Sequence, residues 1–379
     1  MRLAIVRQRY TPYGGAERFV ARALAALERA GTEVTLIARS WEGWGARRVL
    51  RVNPPYVGSW WRDASFARAA FAAWRREGFD LVQSHERIPG CDVYRAGDGV
   101  HRRWLELRRS AATGMERLGI ALNPHHDYLC NVEKRMFEHS RLRAVICNSQ
   151  MVLDEVRRTF RISPDKLHVI YNGVDLEHFH PRHGEALRAA ARAELACATG
   201  DTVFLFVGSG FFRKGLATAI QGLAQARKPS WRLVVAGQDR HQARYERLAG
   251  QAGVAPQVRF LGGRKDVRPL YAAADCFVLP SRYDPFPNTA LEALAMGVPV
   301  IVSSRCGAAE AVDGGVNGWI CAPEDARGLA EWMAQAADAA RVGRAREAAR
   351  ASAESFGIDA MAQKLTGLYR TLGTHDRTH

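Results

Sequence analysis

What the chain lacks narrows it first. No two of its seven cysteines (Cys91, Cys130, Cys147, Cys197, Cys276, Cys306, Cys321) stand at a two-residue spacing, so the paired motifs of zinc sites and thioredoxin-like centres are excluded. Cysteines scattered in this way fit a reducing compartment. No run of about 18 apolar residues occurs, so no membrane-spanning helix is predicted and any bilayer attachment must be peripheral. The apolar start, residues 3–6, is only strand length and no small-residue cleavage site follows a hydrophobic region, which predicts a chain that is not exported. Lysine is scarce: 48 of the 54 basic residues are Arg, and against 39 Asp and Glu they leave the chain a net charge of +15. That sign points to an anionic partner, whether phosphate-bearing substrate, nucleic acid or anionic membrane, and composition does not choose among them.

What is present is a globular composition, 47% hydrophobic and 25% charged, over 379 residues. Single cores stop growing near roughly 250–300 residues, so two domains are expected. Short apolar runs alternate with helical patterns: residues 3–6, a helix over 16–30, then 33–38, 80–83, 144–147 and 167–170 as strands. A second series runs through 203–207, 232–236, 258–260, 276–279 and 298–302. This is the rhythm of two α/β units with doubly wound parallel sheets. A polar hinge near 176–184 divides them into residues 1–180, 181–354, and a C-terminal segment 355–379 expected to return to the first domain. Ligands in such folds bind beyond the carboxyl ends of the strands, so the motifs should cluster there.

After the first strand, Gly14 and Gly15 stand before Glu17 at a strand-to-helix turn, where missing side chains and a helix N-terminus favour an anion; a plain tight turn is the competing reading. The second series opens with Gly208-Ser209-Gly210-Phe211-Phe212-Arg213-Lys214-Gly215. A glycine-flanked loop with adjacent Arg and Lys suits a diphosphate. It is not a Walker loop, because Gly215 follows Lys214 and no hydroxyl is there to hold magnesium. The third stretch runs from Pro280 through Asp284, Pro287, Asn288, Thr289 and Ala290 to Glu292, then Met296-Gly297-Val298-Pro299-Val300. Its helix start can hold a phosphate, with Glu292 accepting from ribose hydroxyls and Asp284 from a sugar hydroxyl.

Together with Asn148-Ser149 and Val169-Ile170-Tyr171-Asn172-Gly173-Val174-Asp175, these strings resemble the retaining glycosyltransferases of family 4, whose two-Rossmann architecture is called GT-B and places two domains face to face across a cleft. Within that family, segments 10–18, 39–43, 89–94 and 96–98 are similar to lipopolysaccharide core glucosyltransferases, which add a hexose to inner-core heptose. Two departures stand out: Asp284 where the family usually has Glu, and Pro287 where it usually has Gly.

The resemblance implies retaining transfer of a hexose, glucose or a related sugar, from a UDP-sugar to a lipopolysaccharide core or another cell-surface glycolipid or polysaccharide. It implies no metal and no further cofactor. Asp98, Arg213, Lys214 and Asp284 are then the catalytic candidates, and Gly14, Gly15, Gly210, Arg264, Asn288, Thr289, Ala290 and Glu292 the donor-binding ones. Glu17, His85 and His101 are weaker candidates for the acceptor or cleft. The first domain would bind acceptor and the second the nucleotide sugar.

Over residues 102–122, Trp104, Leu107, Ala111, Met115, Leu118 and Leu122 recur at helical spacing among Arg102, Arg103, Arg108, Arg109 and Arg117. That pattern suits a helix on anionic lipid, and implies a cytoplasmic protein held at the cytoplasmic face of the inner membrane; a stripe facing its own core is the alternative. Two rival functions remain: a UDP-N-acetylglucosamine 2-epimerase of the same two-lobed architecture, and a nucleic-acid binder. The second lacks clustered base-stacking aromatics or a known module.

Overall fold

The computed structural model describes residues 1–10, 28, 31–41 and 48–374. Apart from residue 28, which is helical, the helix expected over 16–30 lies outside the described residues, as does the loop with Gly14, Gly15 and Glu17. The chain splits into two compact units, Met1–Asn172 with Asp359–His379, and Gly173–Ile358.

In the first unit the described strands are β1 (Arg2–Val6), β2 (Arg9–Tyr10), β3 (Glu33–Ala38), β4 (Ser40–Trp41), β5 (Arg48–Arg51), β6 (Leu81–Ser84), β7 (Val93–Ala96), β8 (Ala144–Cys147) and β9 (Leu167–Val169). Seven of them form one sheet in the order β5-β3-β1-β6-β7-β8-β9, and β2 pairs with β4; the ladders are parallel. Its central strands are buried along their length because helices cover both faces. One face takes Phe66, Ala70 and Trp74 of the helix Gly58–Glu77. The other takes Met361, Leu365 and Tyr369 of the helix Ile358–Thr374, four residues apart and so on one stripe.

The second unit holds β10 (Thr202–Val207), β11 (Trp231–Ala236), β12 (Val258–Phe260), β13 (Cys276–Leu279), β14 (Val300–Ser303) and β15 (Gly318–Cys321). Their order is β12-β11-β10-β13-β14-β15, all parallel. Counted within the unit this is 3-2-1-4-5-6, the dinucleotide-fold order whose direction reverses between the first and fourth strands. The first sheet reverses in the same way between β1 and β6.

The units divide at 172/173 and 358/359 rather than at 180/181 and 354/355, because residues 173–180 are tied to the second. Val174 N donates to Phe356 O at 2.8 Å and Val174 O accepts from Ile358 N at 3.1 Å, and Arg350 Nη1 donates to the carbonyls of Leu176 and Phe179. A Cβ on Gly173 would lie 2.7 Å from Ile358 Cα, so glycine is required at this crossing. Strands β5, β7 and β15 carry charged or glycine positions that hid them in the sequence. The strand expected from 298 begins at Val300, since Pro299 has no N–H for a ladder.

Candidate functional site

In the second unit the reversal lies between the ends of β10 and β13, Val207 and Leu279, and both basic and acidic motifs emerge there. Gly208 (φ +150°) has no Cβ, which would meet Lys214 Cδ at 2.5 Å, so the lysine stem runs beneath the loop. Gly215 is closed off similarly: a Cβ would lie 1.9 Å from Pro280 O, at φ +75°. The short helix Phe211–Lys214 is anchored by Phe211 N to Asp239 Oδ2 (2.8 Å) and by Arg282 N to Arg213 O (2.9 Å).

Lys214, 9% exposed, and Asp284, 5% exposed, meet there: Nζ to Oδ2 is 2.8 Å. Arg213 Nη1 stands 3.5 Å from the same oxygen and donates to Tyr283 O at 3.1 Å. Burial alone would push the Asp284 carboxyl up; the Lys214 and Arg213 charges outweigh it and hold it below its usual range. Its backbone is clamped as well, with N donating to Arg305 O and O accepting from Gly307 N. Asp284 is thus fixed on the cation pair.

The helix Asn288–Ala295 starts at Pro287, which offers no side-chain cap. Its first turn therefore presents N–H groups and the positive dipole end without a capping side chain. Glu292 is buried in the next turn, and its Oε2 accepts from Tyr271 Oη at 3.0 Å; Tyr271 Oη also lies 3.0 Å from Thr289 O. The hydroxyls of Ser281 and Thr289 are buried with no hydrogen-bond partner among the described residues, which is uncommon for buried polar atoms and suits a ligand site.

Of the second unit's predicted residues, the fold therefore brings together Arg213, Lys214, Asp284, Asn288, Thr289, Ala290 and Glu292. Gly210 is the residue before the helix Phe211–Lys214, at φ +76°. Arg264 is on the same sheet end, after β12, but its guanidinium pairs with Glu194 at 3.3 Å on the surface. Sequence reasoning missed Tyr271, Tyr283 and Arg282, which carry no motif of their own.

In the first unit a cavity of about 540 Å³ opens at the other reversal point, lined by Arg7, Glu86, Arg87, Asp98, His125 and Tyr128 among others. Glu86 accepts from Gln8 N at 2.9 Å, and burial pushes its carboxyl up. Asp63 accepts from Gln8 Nε2 (3.0 Å) and Arg62 Nε (2.8 Å), with His125 Nε2 at 2.9 Å. Arg87 is paired to the fully buried Glu133 at 2.9 Å. Asp98 lies on the cavity wall, exposed. The other two predicted residues line up differently. His85 Nε2 is 2.9 Å from Gln83 Nε2, and burial keeps its ring neutral. His101 donates its backbone N–H to Glu133 and sets Nε2 3.2 Å from His126 Nδ1; burial, then the charge of Arg87, lowers it to about 3. Neither lines that cavity. Arg7, Glu86 and Arg87 were overlooked, though Arg7 directly follows β1 and the other two lie in the loop just after β6, where the reversal rule would have found them.

The stripe over 102–122 is broken. Helices His101–Ser110 and Gly114–Ala121 are separate, the second started by a Thr113–Glu116 capping box. Leu107 turns into its own unit at 9% exposure, whereas Met115, Leu118 and Leu122 are 87%, 59% and 72% exposed. No helix among the described residues is long and apolar enough to cross a membrane, and no group of three or more His, Cys, Asp or Glu among them could hold a metal ion.

Comparison with known proteins agrees with this geometry. Residues 13–178 match the family model Glycosyltransferase Family 4, and residues 188–354 match Glycosyl transferases group 1. A probable transglycosylase of Burkholderia thailandensis is 30% identical over 346 residues, 90% of this chain and 88% of that one. The lipopolysaccharide glucosyltransferase WaaG of Escherichia coli is 24% identical over 315 residues, 81% of each chain. A crystal structure of WaaG, a glycosyltransferase involved in lipopolysaccharide biosynthesis, superposes with a TM-score of 0.83 at 24% identity over 97% of this chain and 99% of its own. HepE of Anabaena in complex with UDP-glucose gives 0.75 at 20% identity over 98% and 100%. With two parallel Rossmann-like sheets and both family models matched, the chain belongs to the GT-B glycosyltransferases of family 4.

Proposed function

We propose that this enzyme transfers a hexose from a UDP-sugar, with retention of configuration, to a lipopolysaccharide core or related cell-surface glycan. The observation that carries the reading is the Lys214–Arg213 pair held by Asp284 beside the uncapped start of the helix Asn288–Ala295. In such an arrangement the cations neutralise charge developing on the leaving diphosphate, worth several kcal/mol where water is excluded. The N–H groups of the helix start bind a phosphate, and the Tyr271-braced carboxylate of Glu292 accepts from a ribose hydroxyl. No metal or further cofactor is required for these steps. The short Asp284, committed to Lys214, serves here to position the cation rather than to reach the sugar. Acceptor sugar occupies the first-unit cavity beside Asp98, where carboxylates and arginines supply hydroxyl and anion contacts. The names of WaaG and HepE, a lipopolysaccharide glucosyltransferase and a UDP-glucose complex, support the donor and acceptor classes.

Attachment is peripheral, at the cytoplasmic face of the inner membrane, through Met115, Leu118 and Leu122 among basic side chains that include Arg102, Arg103, Arg109 and Arg117, each basic group near an anionic surface contributing about 1 kcal/mol. The test is incubation of UDP-glucose with and without deacylated core oligosaccharide, with NMR assignment of the product anomer. An α-linked hexose formed only with acceptor supports the reading; epimerised nucleotide sugar without acceptor, or a β-linked product, refutes it.

A further inference from the structure

A second cavity of the second unit lies away from the phosphate loops. It measures about 670 Å³, within the range of small-molecule sites, and is lined by Pro181, Arg188, Ala272, Met296, Arg346 and Arg350 among others. Asp275 and Gly297, also in its wall, lead into β13 and β14, so it sits at the amino ends of the strands, opposite the edge that carries Lys214 and Asp284. Gly297 has φ +69°, and a Cβ there would lie 3.2 Å from Arg346 O and 3.4 Å from Pro181 Cγ, so glycine keeps the wall close.

The cations in this wall are unevenly matched. Arg188 Nη2 is paired to Asp275 at 2.6 Å, and Arg192, behind it, takes the other oxygen at 3.2 Å. Arg188 Nη1 and Arg346 Nη1 both donate to Ala274 O, at 3.1 and 3.2 Å, which brings two guanidinium groups to one carbonyl. Arg350 Nη1 donates to the carbonyls of Leu176, Phe179 and Ala295. Those bonds satisfy the carbonyls of Ala274 and Ala295 at helix ends and of Leu176 and Phe179 in a turn, and use a single nitrogen of Arg346 and of Arg350. Neither residue forms an ion pair with a described carboxylate, and Nε and Nη2 of both carry no hydrogen bond to a described residue. Glu347 and Glu354 are in the wall but exposed, where water screens them. Burial, then the charge of Arg188, holds the Arg346 guanidinium below its ordinary value; Asp275 partly offsets this and Arg192 adds to it.

We propose that this cavity is a second ligand site that takes a small phosphomonoester, its dianion bridging Arg346 and Arg350 and its organic body lying against Pro181, Ala272 and Met296. Two guanidinium forks one helical turn apart suit the several oxygens of a phosphate, whereas a carboxylate needs only one fork. The apolar wall gives the organic body a place that inorganic phosphate cannot use.

Isothermal titration of the full chain at fixed ionic strength tests this with phenyl phosphate, inorganic phosphate and benzoate. One phenyl phosphate is expected per chain, bound at least tenfold tighter than inorganic phosphate or benzoate. Arg346→Gln, which keeps a donor for Ala274 O, should weaken it at least tenfold, and Lys214→Ala should leave it unchanged. Arg350→Lys, keeping the charge without the fork, should weaken it severalfold and serves if Arg346→Gln does not fold. Equal binding by wild type and the Arg346 or Arg350 variant would overturn the proposal. So would loss of binding in Lys214→Ala, benzoate binding as well as phenyl phosphate, or no binding to the wild type.

Discussion

Asp284→Asn keeps the side-chain shape and removes the charge that Lys214 Nζ meets at 2.8 Å. The lysine is 9% exposed and has no room to leave, since its stem passes under Gly208. Removing one partner of a buried ion pair costs about 3–5 kcal/mol, because the other charge stays behind uncompensated. Asn still offers one oxygen, which argues for the lower end, about 3 kcal/mol. Arg213, with its side chain 37% exposed, adds little through screening, about 0–1 kcal/mol. Hydrogen exchange in peptides covering β10 and β13 reads the second unit separately: exchange through global opening of that unit should quicken about 100-fold at pH 7. The pair's contribution is present above the ordinary Asp value of 3.8 and is lost as pH falls through the lower folded value. The difference between wild type and variant should therefore persist at pH 5 and shrink only below that ordinary value. Lys214→Met should also destabilise, and the double variant should fall short of the sum by about 1–3 kcal/mol. Saturating uridine diphosphate, itself anionic, should protect Asp284→Asn more than wild type and Lys214→Met less. An exchange change under threefold in Asp284→Asn, or strict additivity in the double variant, would refute the reasoning.

Glu292→Gln should raise the donor KM by roughly 10- to 100-fold, as for loss of a charged hydrogen bond, and Tyr271→Phe by only a few-fold, read from initial rates against UDP-sugar. Gly215→Ala must displace Pro280 O from a 1.9 Å approach while holding φ at +75°, so a destabilisation of about 2–4 kcal/mol is expected in urea titrations. His101 is held neutral with its folded value near 3 against an ordinary 6.5, so the unfolded chain takes up the proton first and stability falls as pH drops below 6.5. Thermal melts of His101→Gln should show a shallower acid slope than wild type between pH 6.5 and 5. Met115→Asp with Leu118→Asp should abolish co-sedimentation with anionic vesicles while leaving transfer to a soluble acceptor unchanged.

Much of the fold could be read from the chain. Apolar runs such as those at 144–147 and 276–279 coincide with β8 and β13 because strands covered on both faces favour near-continuous apolar runs. Arg48–Arg51 and Val93–Ala96 escaped because their charged residues interrupt that signal. The first-unit cavity was only partly legible: Arg7 and Glu86 lie just beyond strand ends, but Asp63 and His125 come from distant segments, and no short motif spans them.

The two series of alternating strands and helices, the glycine-guarded basic loop and the acidic string were determined by the sequence alone, since each depends on local periodicity or on the conformations a few residues permit. Only the tertiary structure decided that Asp284 closes on Lys214 across 70 residues, that residues 173–180 join the second unit, and that Leu107 turns inward while Met115 faces water. Local patterns specify which faces are apolar and which groups are charged. Which distant group satisfies each one follows from the order in which the sheet brings its strand ends together.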